Sequence, residues 1–108
     1  MNTTAAVDWQ ARAASLTPDG RCFIDGERRA SASGETFDKH SPIDGRRLGA
    51  VARGAAADVD AAVASARAAF EDGRWARKPP AVRKKILQRF AEKILAAKEE
   101  LALLETLD

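Results

Sequence analysis

The run Leu48-Gly49-Ala50-Val51-Ala52, followed by Ala55 through Phe70, is where the chain changes its period. The first piece is short and apolar and follows an Asp44-Gly45 turn, which reads as a strand. In the second, Val59, Val63, Ala66 and Phe70 fall at spacings of four, three and four, the stripe of a helix. Asp58 and Asp60 stand in its first turn, where negative charge suits the helix dipole. Gly73 is placed to end it. The chain is therefore mostly extended before residue 55 and helical after it.

Upstream of the switch, Cys22-Phe23-Ile24 runs into Asp25-Gly26, a dipeptide suited to a tight hairpin because both positions tolerate positive φ. The return, Glu27 to Ser33, is polar or small and poorly defined as a strand. Thr36, Asp38 and His40 alternate with Phe37 and Lys39 in a second extended piece, closed by Ser41-Pro42, whose proline biases Ser41 away from helix. Three extended pieces with two Asp-Gly turns predict a small β meander. A short helical lead, Val7 to Leu16, is expected before it, capped by Asp8, with Trp9, Ala13 and Leu16 on one side and Pro18-Asp19-Gly20 as its stop.

Downstream, Pro79-Pro80 opens the strongest helix, since proline is common at the first helical position. Val82, Ile86, Phe90 and Ile94 repeat every four residues, widened by Leu87 and Leu95, with Arg83, Lys84, Arg89 and Glu92 assigned to the opposite side. Leu101, Leu104 and Leu107 recur at threes, and no Gly or Pro divides this run from the helix before it. One helix or two both fit. The ending Leu-Glu-Thr-Leu-Asp carries no cap, Gly or polar tail, which leads to the expectation that a longer polypeptide continues it.

Composition narrows the function classes. The chain has 108 residues, 45% hydrophobic and 31% charged, which is one ordered domain at most. Its 18 basic and 16 acidic residues leave a net charge of +2, a small surplus for a nucleic-acid binder. One cysteine, Cys22, excludes an internal disulfide and makes a reducing cytoplasm the expected setting. Residues 1–10 have no apolar core of a secretory signal, and no run nears the roughly 20 apolar residues of a membrane span.

Reactive groups are sparse. Cys22 sits beside Phe23 and Ile24 on a strand, the setting of a buried structural thiol. His40 is the single imidazole, with no ligand-spaced partners for zinc. No glycine-rich phosphate loop occurs; Asp19-Gly20-Arg21 and Asp44-Gly45-Arg46-Arg47 are turns. Arg74, Arg77, Lys78, Arg83, Lys84 and Lys85 form a basic cluster, which offers an alternative reading as a small helical interaction or nucleic-acid-binding module. A solvated helix start is favoured over it, because Glu71 and Asp72 adjoin the cluster and only Trp75 could stack on a base. Glu92, Glu99, Glu100 and Glu105 are expected to be exposed and unpaired.

Taken in order, the pieces resemble the opening of the aldehyde dehydrogenase superfamily. Phe23-Ile24-Asp25-Gly26-Glu27 is similar to its first "hydrophobic–Ile–(Asn/Asp)–Gly–(Glu/Lys)" strand. Thr36-Phe37-Asp38-Lys39-His40-Ser41-Pro42 resembles its "Thr-Phe-x-x-x-(Asn/Ser)-Pro" segment, and Gly45 to Val51 its "Gly-x-x-(Leu/Ile)-x-x-Val" strand. Asp58 to Phe70 is close to the family's first long helix. Trp75, Arg83 and Leu87 sit where the family has its Trp and its "Arg-x-x-x-Leu" turn. Leu101 to Asp108 is similar to the "Leu-Ala-x-Leu-Glu-Thr-Leu-Asp" helix that the family continues with Gly-Lys-Pro. Trp9-Gln10 and the Leu-Leu-Glu-Thr-Leu-Asp ending look most like the bacterial γ-glutamyl-γ-aminobutyraldehyde dehydrogenases of putrescine catabolism.

The resemblance implies an α/β fold, in which this chain is an amino-terminal fragment of the nucleotide-binding domain: a β meander, then two or three helices. Residues 1–19 would be a helical lead and 20–108 the opening of the cofactor-binding domain. It implies oxidation of a small aldehyde to a carboxylic acid with NAD or NADP, by a cysteine nucleophile and a glutamate base that lie downstream; Cys22 does not align with that nucleophile. The partners implied are the remainder of the dehydrogenase chain and further copies in a dimer or tetramer, without membrane or nucleic acid. It also implies a monovalent cation site, Na+ or K+, held by the main-chain carbonyls of Lys39 and His40 and the carboxylate of Asp108. Oxygen donors suit such hard cations.

Overall fold

A computed structural model describes residues 5–108, so the first four residues of the 1–19 lead lie outside it. Helix α1 (Trp9–Ser15) begins where Asp8 Oδ1 accepts the Ala11 N–H at 2.9 Å, the cap the sequence predicts. Four strands follow: β1 (Cys22–Ile24), β2 (Glu27–Arg29), β3 (Thr36–His40) and β4 (Arg47–Ala52). Helices α2 (Ala56–Glu71), α3 (Pro80–Ala96) and α4 (Lys98–Leu107) complete the order.

The strands do not form the expected meander. They make two separate antiparallel hairpins, β1–β2 and β3–β4, because the Glu27 return is a strand after all and closes the first pair. Asp25 and Gly26 adopt φ of 54° and 76°, the two left-handed positions of a tight two-residue turn, so Ile24 faces Glu27 and Phe23 faces Arg28. Across that pair the Arg28 guanidinium lies 5.7 Å from the Phe23 ring, which otherwise stands in solvent. The hairpins join at one point. Gly20 bridges Val51, and its carbonyl accepts the Ala52 N–H at 2.8 Å. A Cβ at Gly20 would stand 2.1 Å from the Ala50 carbonyl oxygen, so only glycine lets the two backbones approach this closely.

Helix α2 is anchored by one carboxylate. Asp58 accepts the Ala55 N–H at 2.9 Å and the Ala32 N–H at 2.8 Å, tying the β2–β3 loop to the first turn. These bonds favour the charged form and hold Asp58 below the ordinary carboxylate range. Asp60, by contrast, lies beyond the first turn. Gly73, at φ 74°, terminates the helix as expected, and the Arg77 side chain folds over it. Proline at the start of α3 is also as expected. The open question between one helix and two resolves as two: Ala97 leaves helical geometry at φ −96°, ψ 11°.

Burial within this chain is slight. Ile24 and Leu107 are the buried apolar residues, at 8% and 7% exposure. Helix α2 turns its small residues Ala61, Ser65 and Ala69 inward, and Ser65 Oγ donates to Asp25 Oδ1 at 3.3 Å. Its predicted stripe points the other way: Val59, Val63 and Phe70 are 59 to 65% exposed. Val82, Ile86, Phe90 and Ile94 of α3 are also exposed. Arg83, assigned by periodicity to the polar side, is instead half-buried beside Trp75 and Leu87, with its Nε shielded and unpartnered.

The dimensions agree. The chain measures 53 × 43 × 18 Å with a radius of gyration of 18.5 Å, where a compact domain of this length has about 13 Å. It exposes 8729 Å², against roughly 5,800 Å² for a globular monomer of its mass. The difference is the size of a large permanent interface.

Two outcomes follow. The isolated chain binds a hydrophobic dye strongly and self-associates in sedimentation velocity; a monomer with a sharp, concentration-independent thermal transition contradicts this. Asp58→Ala lowers helix content by circular dichroism at neutral pH. Because the folded pKa of Asp58 is depressed, its contribution is present above the ordinary carboxylate range and is lost as pH falls through the lowered value. The variant therefore loses less helix on acidification than the parent.

Candidate functional site

The densest set of specific contacts lies where the end of β3 meets the end of α4. Lys39 lies on β3 and Ser41 directly follows its last residue. Ser41, 2% exposed, donates from Oγ to the Leu107 carbonyl at 2.7 Å. Its main chain closes the loop to β4: the Ser41 N–H reaches the Arg46 carbonyl at 2.8 Å, and the Ser41 carbonyl accepts the Gly45 N–H at 2.9 Å. This buried hydroxyl escaped sequence reading, which noticed only the proline after it. The one signal was Ser-Pro at a strand end.

Next to it, the Lys39 ammonium forms an ion pair with the Asp108 carboxylate. The structure thus brings together two of the three residues implied for a monovalent cation. His40 is exposed at the edge of the same corner, where the β3–β4 register shifts between Lys39 and His40. An open cavity of about 400 Å³ adjoins the pair, walled by Gly49, Val51, Leu101 and Leu104 and edged by Lys39 and Asp108. The Asp108 carboxylate already has a cation beside it, the ammonium of Lys39. No cluster of three or more His, Cys, Asp or Glu suited to a metal occurs among the described residues.

The other candidates fall apart. Cys22 is half-buried on β1 and His40 ends β3, in different hairpins, so no thiol–imidazole pair forms. Two members of the basic cluster are engaged locally and a third is partly withdrawn from solvent. Arg74 pairs with Asp72 at 2.8 Å through Nε, Arg77 donates to the Glu71 carbonyl at 3.1 Å, and Arg83 is half-buried. The Arg74 guanidinium and backbone N–H lower the Asp72 pKa. Arg21 does the same to Asp19, which accepts its side chain and its N–H in a closed turn. Glu99, expected to be unpaired, is a correction: it accepts from Arg12 at 2.6 Å and so fixes α1 against α4. No helix among the described residues is long and apolar enough to cross a membrane.

Comparison with known proteins accounts for this arrangement. Residues 29–108 match the aldehyde dehydrogenase family. The chain is 44% identical over 108 residues to the NADP/NAD-dependent aldehyde dehydrogenase PuuC of Escherichia coli, covering all of this chain and 22% of that protein. Its structure superposes on the γ-glutamyl-γ-aminobutyraldehyde dehydrogenase of Burkholderia cenocepacia with a TM-score of 0.91 and 54% identity, over 93% of this chain and 20% of the other. The indole-3-acetaldehyde dehydrogenase of Pseudomonas syringae, solved with NAD+, gives 0.90 and 56% over the same shares. The chain therefore spans about a fifth of the proteins it matches. The chain belongs to the aldehyde dehydrogenase family.

Proposed function

We propose that this chain is the amino-terminal segment of an NAD(P)-dependent aldehyde dehydrogenase, oxidising a small aldehyde to its carboxylic acid. The observation that carries it is the near-complete superposition of a chain whose large side chains face outward. Surfaces of that size are stable only under a second layer of protein, and the remainder of a dehydrogenase supplies one. An aminoaldehyde of polyamine breakdown is the substrate class favoured by the sequence likeness to PuuC and by the superposition on the γ-glutamyl-γ-aminobutyraldehyde enzyme.

In this reading a nicotinamide, when bound, would supply the hydride acceptor, and the cysteine nucleophile would lie outside this segment. None of the residues described here is assigned to that step or to holding the dinucleotide. Their work is architectural: residues 20–108 would open the cofactor-binding domain, and helix α1 meets α4 through Arg12 and Glu99. Assembly into a dimer or tetramer and a cytoplasmic setting belong to the same proposal, the latter favoured by a single free thiol. The corner at Lys39, His40 and Asp108 is a position that calls for positive charge.

The test is to read the gene beyond codon 108 and to express both lengths. The continued polypeptide reduces NAD+ or NADP+ with an aminoaldehyde, and the 108-residue chain alone shows no turnover above buffer. A frame without the Gly-Lys-Pro continuation and without a later Cys and Glu overturns the proposal, as does turnover by the short chain.

A further inference from the structure

Three sources of negative charge converge at the end of α4. The helix presents its carbonyl end, which carries about half a negative charge, and one of those carbonyls, on Leu107, already accepts from Ser41. The Asp108 carboxylate follows directly, and Glu105 edges the same cavity. A single cation faces them. Lys39 is half-buried, so its stem lies along the cavity wall and its ammonium meets Asp108. Arg12, the other cation bound to α4, is spent at the opposite end on Glu99.

We infer that the Lys39 ammonium is the resident cation of this corner, taking the place of a bound Na+ or K+. The inference rests on reading the chain as a dehydrogenase segment and specifies how that segment meets its charge requirement. Three physical points support it. The ammonium is tethered by two neighbours fixed in β3, so it competes at an effective concentration no lower than the millimolar range. It supplies three N–H donors, and the Asp108 carboxylate accepts at least one of them. An alkali ion on the same carboxylate would have to sit against it, and like charges at contact repel.

The experiment uses the full-length dehydrogenase that contains this segment, with aldehyde-dependent NAD(P) reduction confirmed first, so that a failed family reading is recognised separately. Thallium(I), a spectroscopic stand-in for K+, is counted by thallium NMR as the K+-displaceable ions bound per chain. Lys39→Gln binds one more such ion than the wild type, and its thermal midpoint, unlike the wild type's, rises saturably when choline chloride is replaced by KCl. Lys39→Arg keeps the wild-type count. Equal counts in wild type and Lys39→Gln overturn the inference. Should Lys39→Gln not fold, Asp108→Asn decides. The inference requires its thallium count to equal that of the wild type, and a count lower by one shows that the native corner held an alkali ion.

Discussion

Everything in this molecule is shaped by a shortage of cover. An amphipathic helix must bury its large side chains against another layer, and two short hairpins cannot shield three helices. The chain resolves the shortage in one direction only. Its small residues, Ala61, Ser65 and Ala69, turn toward the first hairpin, while valine, isoleucine and phenylalanine face away. A free-standing domain would do the reverse, since burying Phe in place of Ala gains roughly 1.5–3 kcal/mol per side chain. The outward stripes are thus the face that, in the proposed reading, the remainder of a dehydrogenase chain would cover.

With so little core, polar contacts at a few points hold the elements in place. Asp58 ties a loop to α2, Gly20 brings one hairpin against the other, Arg12 meets Glu99, and Ser41 holds the end of α4. A typical hydrogen bond nets about 1 kcal/mol, and an exposed ion pair less. Four such ties cannot offset the ordering of a whole chain, but they can set the angles between its elements. Their job is alignment.

Much of this was legible in the residues. The Asp25-Gly26 turn, the Asp8 cap, Gly73 as a helix end and Pro80 as a helix start each have local causes, and each stands where the sequence put it. The helical stripes were read correctly as stripes; which side they faced was not readable, because orientation depends on what else is present. The pairing of strands failed for the same reason. Glu27 to Arg29 lacks the apolar alternation of a strand, and only its cross-strand partners make it one. At the corner, Lys39 and Asp108 were picked out by family likeness, and their direct pairing was not foreseen. Ser41 stayed hidden because its partner is a carbonyl 66 residues away.

The break at Ala97 has no local cause in the residues around it. Alanine is the best helix former, and neither glycine nor proline stands nearby to interrupt it. Hydrogen bonds of helical spacing run on both sides, from Ala97 to Lys93 and from Leu101 to Ala97. Two contacts grip α4 beyond the elbow, at Glu99 and at Leu107. Held by the β3–β4 loop at one end and by the leading helix near the other, α4 keeps a direction of its own instead of prolonging the axis of α3.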